Sequence, residues 1–79
     1  MKPRVKKYGD VNLIGKNAER LRKERGIKQK DFIAQLQVNG LDINPTSYSK
    51  LEVQIRIATD KEVFMIAKVL EIEINDLFD

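Results

Sequence analysis

The sequence predicts an all-α domain built from five short helical segments, and three observations support this fold class. Apolar residues recur at the 3.6-residue spacing of a helix in several separate stretches. Asn44 followed by Pro45 is a favoured helix start, and Thr59 with Glu62 matches a capping box. Apolar and polar residues alternate only over 11–13 and 55–57, and three residues are fewer than a typical strand contains.

The chain divides into a lead-in, residues 1–12, and a single domain, residues 13–79. The lead-in is basic, contains a glycine and lacks helical periodicity, so we expect a flexible arm. The first helix is expected to begin at Leu13 and to end at Gly26, because glycine suits the residue that follows a helix C-terminus. The predicted inner stripe of this helix consists of Leu13, Ile14, Asn17, Ala18, Leu21 and Arg22.

The second and third helices are expected at about 29–37 and 45–53, joined by residues 38–43. The second helix has an apolar face formed by Phe32, Ile33 and Leu36. In the third helix Asn44 is a suitable N-cap, and the missing N–H of Pro45 costs nothing at the first helical position. Its predicted inward residues are Tyr48 and Leu51, and its predicted outward residues are Thr46, Ser47 and Lys50.

The fourth helix is expected to follow Thr59, and its apolar residues fall at i, i+3, i+4 and i+7. These residues are Val63, Ile66, Ala67 and Leu70. A fifth segment, residues 74–78, is expected to be a short helical turn that offers Leu77 and Phe78 for packing.

The formal net charge is only +3, but the charge is unevenly distributed along the chain. Residues 1–50 carry 12 Lys and Arg against 5 Asp and Glu, whereas residues 51–79 carry 3 against 7. This asymmetry favours a polyanion as the partner of the first part of the chain, although a merely solvated basic face explains the charges equally well.

The composition argues against an enzyme and against a metal or cofactor site. The chain has no His and no Cys, which excludes Ser-His and Cys-His pairs and the usual transition-metal ligands. Residues 47–50 match the S-x-x-K pattern of penicillin-recognising enzymes, but the companion elements are missing. The longest apolar run, 63–67, is too short for a bilayer, so we expect a cytoplasmic protein that does not enter the membrane.

Several segments resemble the lambda-repressor-like, Cro/XRE-type helix-turn-helix regulators, and the resemblance covers about residues 13–78. The matching segments are 21–29 (LRKERGIKQ), 48–52 (YSKLE), 59–63 (TDKEV) and the close at Leu77 and Phe78. The resemblance implies a five-helix DNA-binding domain in which helices 2 and 3 form the helix-turn-helix. Three departures are a six-residue link before the third helix, lysine at position 28 and the missing glycine after Glu52.

The resemblance also implies roles for individual residues. Gln29 corresponds to the glutamine that bonds a DNA phosphate and braces the recognition helix. Arg22 and Glu52 correspond to an ion pair that links the first helix to the third. The other residues implied at the DNA are Asn44, Pro45, Thr46 and Lys50 for bases or nearby backbone, and Ser47 and Ser49 for phosphates or flanking contacts. Asn44 is first a cap and only second a DNA contact, and Tyr48 is expected in the core.

The sequence leaves two functions open. The favoured one is a sequence-specific transcriptional regulator, with a repressor as the preferred type, that binds double-stranded operator DNA as a homodimer. Arg4, Lys6 and Lys7 are candidate arm contacts to DNA. Four C-terminal apolar residues are expected either to pack in the core, which is the default, or to form the dimer contact: Ile72, Ile74, Leu77 and Phe78. The alternative is a protein-interaction module, such as an antitoxin-like protein that binds another protein.

Overall fold

The computed structural model describes residues 8–79, and this part of the chain contains four α-helices, one 3₁₀ turn and no strand. The helices are α1 (Gly15–Glu24), α2 (Gln29–Val38), α3 (Pro45–Glu52) and α4 (Asp60–Leu70). The fifth predicted segment is a 3₁₀ turn over Ile74–Leu77 rather than an α-helix, which is common for pieces of four residues. The all-α prediction is therefore confirmed.

The helices surround one core. α1 packs against α3, α4 and the 3₁₀ turn, while α2 packs against α3 and α4. At the centre the rings of Phe32 from α2 and Tyr48 from α3 lie 5.6 Å apart between centroids and are tilted by 58°. The largest fully buried apolar side chains are Ile14, Phe32, Leu36, Tyr48, Leu51, Ile66, Leu70 and Leu77. Each helix contributes at least one of them or packs directly beside them, so the core is shared by all four helices.

Two helix starts follow the local sequence signals. The side chain of Asn44 accepts a hydrogen bond from the backbone N–H of Ser47 at 2.8 Å. In the capping box of α4, the N–H of Glu62 donates to the hydroxyl of Thr59, and the N–H of Thr59 donates to the carboxylate of Glu62. Each cap satisfies backbone donors that have no partner within the helix. Both predicted starts are confirmed.

The start of α1 differs from the prediction. The helix begins at Gly15, and Leu13 is 73% exposed, so its predicted place on the inner stripe is wrong. The reason is that the chain bends at residues 13 and 14 and does not yet follow the helical repeat there. Asn12 causes this bend, because its side-chain oxygen accepts hydrogen bonds from the N–H groups of Ile14 and Gly15 at 3.0 and 2.8 Å.

The long link between α2 and α3, residues 39–44, is anchored to the domain. The side-chain amide of Gln37 donates to the carbonyl of Ile43 at 2.8 Å, and the side chain of Ile43 is buried. Gly40 adopts a φ of +101°, a conformation that glycine accepts readily, and this allows the chain to leave α2. The length of the link therefore does not leave the start of α3 without support.

The C-terminal apolar residues fall into two groups. Leu77 is completely buried in the core, which agrees with its expected availability for packing and leaves it no exposed surface for a dimer contact. Ile74 and Phe78 are 42% and 51% exposed, while Ile72 is partly buried against the core. The reason is that the 3₁₀ turn packs on α1 and α4, which places Leu77 beneath it and Phe78 outside.

The longest helix within residues 8–79, α4, has 11 residues. A bilayer-spanning helix needs about 20 predominantly apolar residues. None of the described helices meets that length and composition.

Candidate nucleic-acid interface

One side of α3, from its N-cap Asn44 to Lys50 in its last turn, presents mostly polar side chains to solvent. Asn44, Pro45, Thr46 and Lys50 are exposed, and Ser47 is partly exposed. These five residues border one shallow surface groove, and the segment after α3 completes it with Ile55 and Arg56. The opposite side of α3 is inaccessible, because Tyr48, Leu51 and Glu52 have no exposed surface. The structure therefore brings together five of the residues that the resemblance places at DNA.

Gln29 and Ser49 lie on another side of α3, where α2 begins. The hydroxyl of Ser49 donates to the side-chain oxygen of Gln29 at 2.9 Å, and the amide nitrogen of Gln29 donates to Glu52 at 3.1 Å. Gln29 thus bridges the first turn of α2 to the last two turns of α3. The amide nitrogen has two hydrogens, so one remains for an acceptor outside the domain.

Arg22 and Glu52 form a buried ion pair that joins α1 to the end of α3. The Nε and Nη2 atoms of Arg22 lie 2.9 and 3.1 Å from the two carboxylate oxygens of Glu52. A further Arg22 nitrogen donates to the carbonyl of Ile27 at 2.7 Å. Burial favours the neutral form of Arg22, but the hydrogen bond and negative charge of Glu52 outweigh it and raise the Arg22 pKa. The Arg22 guanidinium therefore remains charged inside the domain.

Tyr48 lies in the core next to this pair. Burial, together with the negative charge of Glu52, raises the pKa of its hydroxyl, so Tyr48 is neutral. Within residues 8–79 the hydroxyl makes no hydrogen bond of normal geometry. Because the ring is enclosed and tilted against Phe32, Tyr48 has no access to a nucleic-acid base.

A second Arg–Glu pair, formed by Arg56 and Glu62, lies at the other end of α3. Two Arg56 nitrogens donate to the two carboxylate oxygens of Glu62 at 2.8 and 2.9 Å. The Nε atom of Arg56 donates to the backbone carbonyl of Ser47 in the first turn of α3 at 2.8 Å. This guanidinium is 21% exposed, since it also borders the groove beside α3.

Residues 8–12, which the sequence assigns to the flexible arm, are attached to the end of α3. The N–H groups of Gly9 and Val11 donate to the carbonyls of Val53 and Gln54 at 2.7 and 3.0 Å. Asn12 is buried and donates to the carbonyls of Leu51 and Arg56 at 3.0 and 2.9 Å. The ordered part of the chain therefore begins before residue 13.

Gln54, two residues after the end of α3 at Glu52, turns the chain out of the helix. Its φ is +63°, in the left-handed region that a glycine adopts easily. The side-chain amide of Gln54 donates to the carbonyl of Asn12 at 2.6 Å, which holds the residue in this conformation. The chain thus leaves α3 by the usual left-handed turn without glycine.

Tyr8 marks where the basic lead-in reaches the domain. Its hydroxyl donates a hydrogen bond to the carboxylate of Glu19 on α1. That hydrogen bond, with burial as a second cause, raises the pKa of Tyr8 to about 12. The candidate arm contacts Arg4, Lys6 and Lys7 lie outside the described residues.

Exposed cations lie along the first turn of α2 and on α3. Lys28, Lys30 and Lys50 are all exposed, and none forms an ion pair with another residue in the range 8–79. By contrast, Arg22 and Arg56 are neutralised by carboxylates. The positive charge available to a polyanion on this side of the domain therefore comes from the lysines.

Sequence reasoning missed Asn12 and Arg56. Asn12 precedes the apolar repeat, and the one signal for its role was the presence of an Asn, a favoured capping residue, three residues before α1 begins. For Arg56 no local signal existed, because its partners Ser47 and Glu62 lie nine and six residues away on two different helices.

Within the described part of the chain no group of carboxylates could hold a metal ion. Comparison of the chain with protein-family profiles, with curated proteins and with solved structures gave no match.

Proposed function

We propose that this chain is a sequence-specific DNA-binding transcriptional regulator, a repressor that occupies operator DNA. In this proposal the four helices and the 3₁₀ turn form a lambda-repressor-like domain, and α2 with α3 is its helix-turn-helix. α3 is the recognition helix and enters the major groove. The function requires no cofactor and no catalytic group.

The observation that carries the proposal is the two-sided character of α3. Its inner side is buried and tied by hydrogen bonds to α1 and α2, whereas Thr46 and Lys50 on its outer side are exposed. A helix that is held rigidly on one side and presents polar side chains on the other suits the reading of base edges. A surface helix without a binding role can be held by apolar packing alone, without buried hydrogen bonds such as those that Arg22 and Gln29 make to Glu52.

Individual side chains then have specific tasks. Thr46 presents a hydroxyl and a methyl group, and the methyl group can contact the methyl of thymine. Lys50, one turn further on, can donate to the O6 and N7 atoms of guanine or to a phosphate. The remaining hydrogen of the Gln29 amide and the exposed Lys28 and Lys30 are placed for phosphates, which fix the register but carry no sequence information.

The test is selection of binding sites from random double-stranded DNA with the wild-type protein, Lys50→Ala and Lys68→Ala. Lys68 is a matched control because it is an exposed lysine on α4, outside the groove beside α3. We expect the wild type and Lys68→Ala to enrich the same motif and Lys50→Ala to lose preference at one position, by about 1–3 kcal/mol.

Measurement at two salt concentrations separates base reading from phosphate binding. Loss of a single phosphate contact reduces the salt slope by about 0.9. If the wild type binds all sequences equally, and Lys50→Ala and Lys68→Ala behave alike, the DNA-reading function is wrong.

We also propose that the protein binds its operator as a homodimer, with half-sites about one DNA turn apart. Leu77 takes no part, because it is buried within the protomer. Of the C-terminal apolar residues, Ile74 and Phe78 have surface for such a contact. Selected sites with two-fold symmetry would support the dimer, and single asymmetric sites would contradict it.

A protein-interaction module is the second candidate function, and one apolar groove favours it. Val11, Leu13, Ile57 and Phe78 border this groove and are each at least half exposed. Contiguous exposed apolar side chains of this kind are a feature of protein interaction sites. If the DNA selection fails, replacing Leu13 and Ile57 by serine should abolish binding to the protein partner.

A further inference from the structure

The strongest unassigned feature of the domain is the guanidinium of Arg56. Four of its five N–H groups are used within the domain, by the carbonyls of Ser47 and Ile57 and by both carboxylate oxygens of Glu62. Ser47 belongs to the first turn of α3 and Glu62 to the first turn of α4. One side chain therefore connects the two helix starts.

The start of α3 makes fewer polar contacts to the rest of the domain than its C-terminal end does. The end of α3 is held by Arg22, Gln29 and the Asn12 amide, all of which contact Leu51, Glu52 or Ser49. At the start, the link residue Ile43 is held by Gln37, but the helix itself is tethered to the rest of the domain through the carbonyl of Ser47. Without Arg56, the start of α3 would rest on the apolar packing of Ile43 and Tyr48, whereas its C-terminal end would keep its polar contacts to Arg22, Gln29 and Asn12.

A small rotation of α3 about its C-terminal end produces a large displacement of the residues at its start. α3 rises about 9 Å between Thr46 and Glu52, at about 1.5 Å per residue. A tilt of about 10° around the end at Glu52 would move Thr46 by about 1.5 Å, whereas hydrogen-bond distances tolerate only about 0.5 Å of variation. The contacts to base edges would therefore be lost long before the helix unfolds.

We propose that Arg56 is a positioning residue for the recognition helix, which sets the angle of Thr46 and Lys50 to the DNA and thereby determines sequence discrimination. This inference rests on the proposed DNA-binding function. Arg56 acts through Ser47 and Glu62, and its charge is neutralised by Glu62, so it is not primarily a phosphate contact. The salt dependence of binding then comes from other residues, whereas the preference between sequences depends on Arg56.

Two variants separate positioning from charge and from folding. Arg56→Lys keeps the positive charge but lacks the planar fork that reaches Ser47 and Glu62 together. Glu62→Gln removes the charge of the partner yet preserves the capping box of α4, because glutamine serves at the same position. Glu24→Gln is the matched control, since Glu24 forms an exposed ion pair with Arg20 on α1.

The experiment measures the ratio of the dissociation constant for a scrambled duplex to that for the selected motif, at one temperature at which all variants are folded by circular dichroism. We expect this ratio to fall about tenfold in both Arg56→Lys and Glu62→Gln, comparable with one mismatched base pair. In Glu62→Gln the binding of scrambled DNA should be unchanged or tighter, because the variant has one negative charge fewer. Glu24→Gln should keep the wild-type ratio.

The outcomes are distinguishable. If the wild type selects a motif, and Arg56→Lys and Glu62→Gln keep its ratio, the positioning role of Arg56 is overturned and the DNA-binding function stands. If Glu62→Gln binds the selected motif and the scrambled duplex more tightly by the same factor, Arg56 acts by attracting DNA through its positive charge. The positioning role is then also overturned. If the wild type selects no motif, both proposals are overturned together.

Discussion

The C-terminal end of α3 is anchored inside the domain, whereas the N-terminal end is held at the surface. At the C-terminal end the pair Arg22–Glu52 is almost completely excluded from solvent, with side chains 6% and 0% exposed. At the N-terminal end the pair Arg56–Glu62 has the same chemistry, but its side chains are 21% and 11% exposed. One type of ion pair thus serves two ends of one helix in different surroundings.

This difference in exposure indicates what each ion pair contributes to the stability of the domain and to the geometry of α3. Removing one partner of a buried ion pair destabilises the fold strongly, because the remaining charge is not solvated. The C-terminal pair therefore contributes mainly to the stability of the domain. A partly exposed pair can exchange with water when it is broken, and it contributes less to stability. The N-terminal pair therefore has its main effect on geometry, at the end of α3 that carries Thr46.

The largest effect is expected from a substitution that breaks the Arg22–Glu52 ion pair. Glu52→Gln removes the carboxylate opposite Arg22 and leaves a buried charge without a counter-ion, so the free energy of unfolding should fall by about 3–5 kcal/mol. Urea denaturation followed by circular dichroism measures this change. Glu24→Gln, on an exposed pair, should change the free energy of unfolding by less than about 1 kcal/mol. An unchanged melting temperature in Glu52→Gln would contradict the buried anchor.

A second substitution tests the close approach of α1 to the C-terminal end of α3. A Cβ atom at Gly15 would lie 2.1 Å from the backbone oxygen of Leu51, so Gly15→Ala must push α1 away from α3. Overpacking of this kind should cost about 1–3 kcal/mol in thermal or urea unfolding. Gly26→Ala is a useful contrast, because its Cβ would meet no atom within 4 Å and only its φ of +68° opposes the change. Equal losses in the two variants would show that the close approach of α1 to α3 is unimportant.

The N-terminal pair should be visible in the pH dependence of stability. Burial opposes the ionisation of Glu62, but the hydrogen bonds from Arg56 and Thr59 outweigh it and lower its pKa below the usual 4.5. A carboxyl group with a lowered pKa in the folded state stabilises above its unfolded pKa, and this contribution disappears as the pH falls through the folded pKa.

Between about pH 5 and about pH 3 the wild type should therefore lose more stability than Glu62→Gln, which has no group to titrate there. Urea denaturation at a series of pH values measures the two curves. Parallel curves over this range would mean that the Arg56–Glu62 pair makes no contribution to folding.

The smallest expected effect concerns the centre of α3, between the two pairs. Tyr48→Phe removes a buried hydroxyl that makes no hydrogen bond of normal geometry within the described residues. Its loss should therefore change the free energy of unfolding by less than about 1 kcal/mol, in either direction. A loss as large as that in Glu52→Gln would show that the hydroxyl belongs to the Arg22–Glu52 network.

The sequence by itself determined the features that depend on neighbours within about four residues. The Asn44 cap, the Pro45 start and the Thr59–Glu62 box each use donors and acceptors one turn apart, so the order of residues specifies them. The apolar faces of α2, α3 and α4 follow from the helical repeat in the same way. The Arg22–Glu52 pair was expected from the family resemblance and not from any local rule, because 30 residues separate its members.

Only the tertiary structure decided the features that depend on contacts between distant segments. Whether Leu13 or Leu77 is buried depends on which helix packs over it. The prediction that Leu13 faces the core was wrong for this reason, and for Leu77 the structure decided between core and dimer contact in favour of the core. Asn12 and Arg56 have polar partners that come close only after α1, α3 and α4 have assembled. A buried polar group must find its partners wherever the chain places them, so its role is set by packing in three dimensions and not by spacing along the sequence.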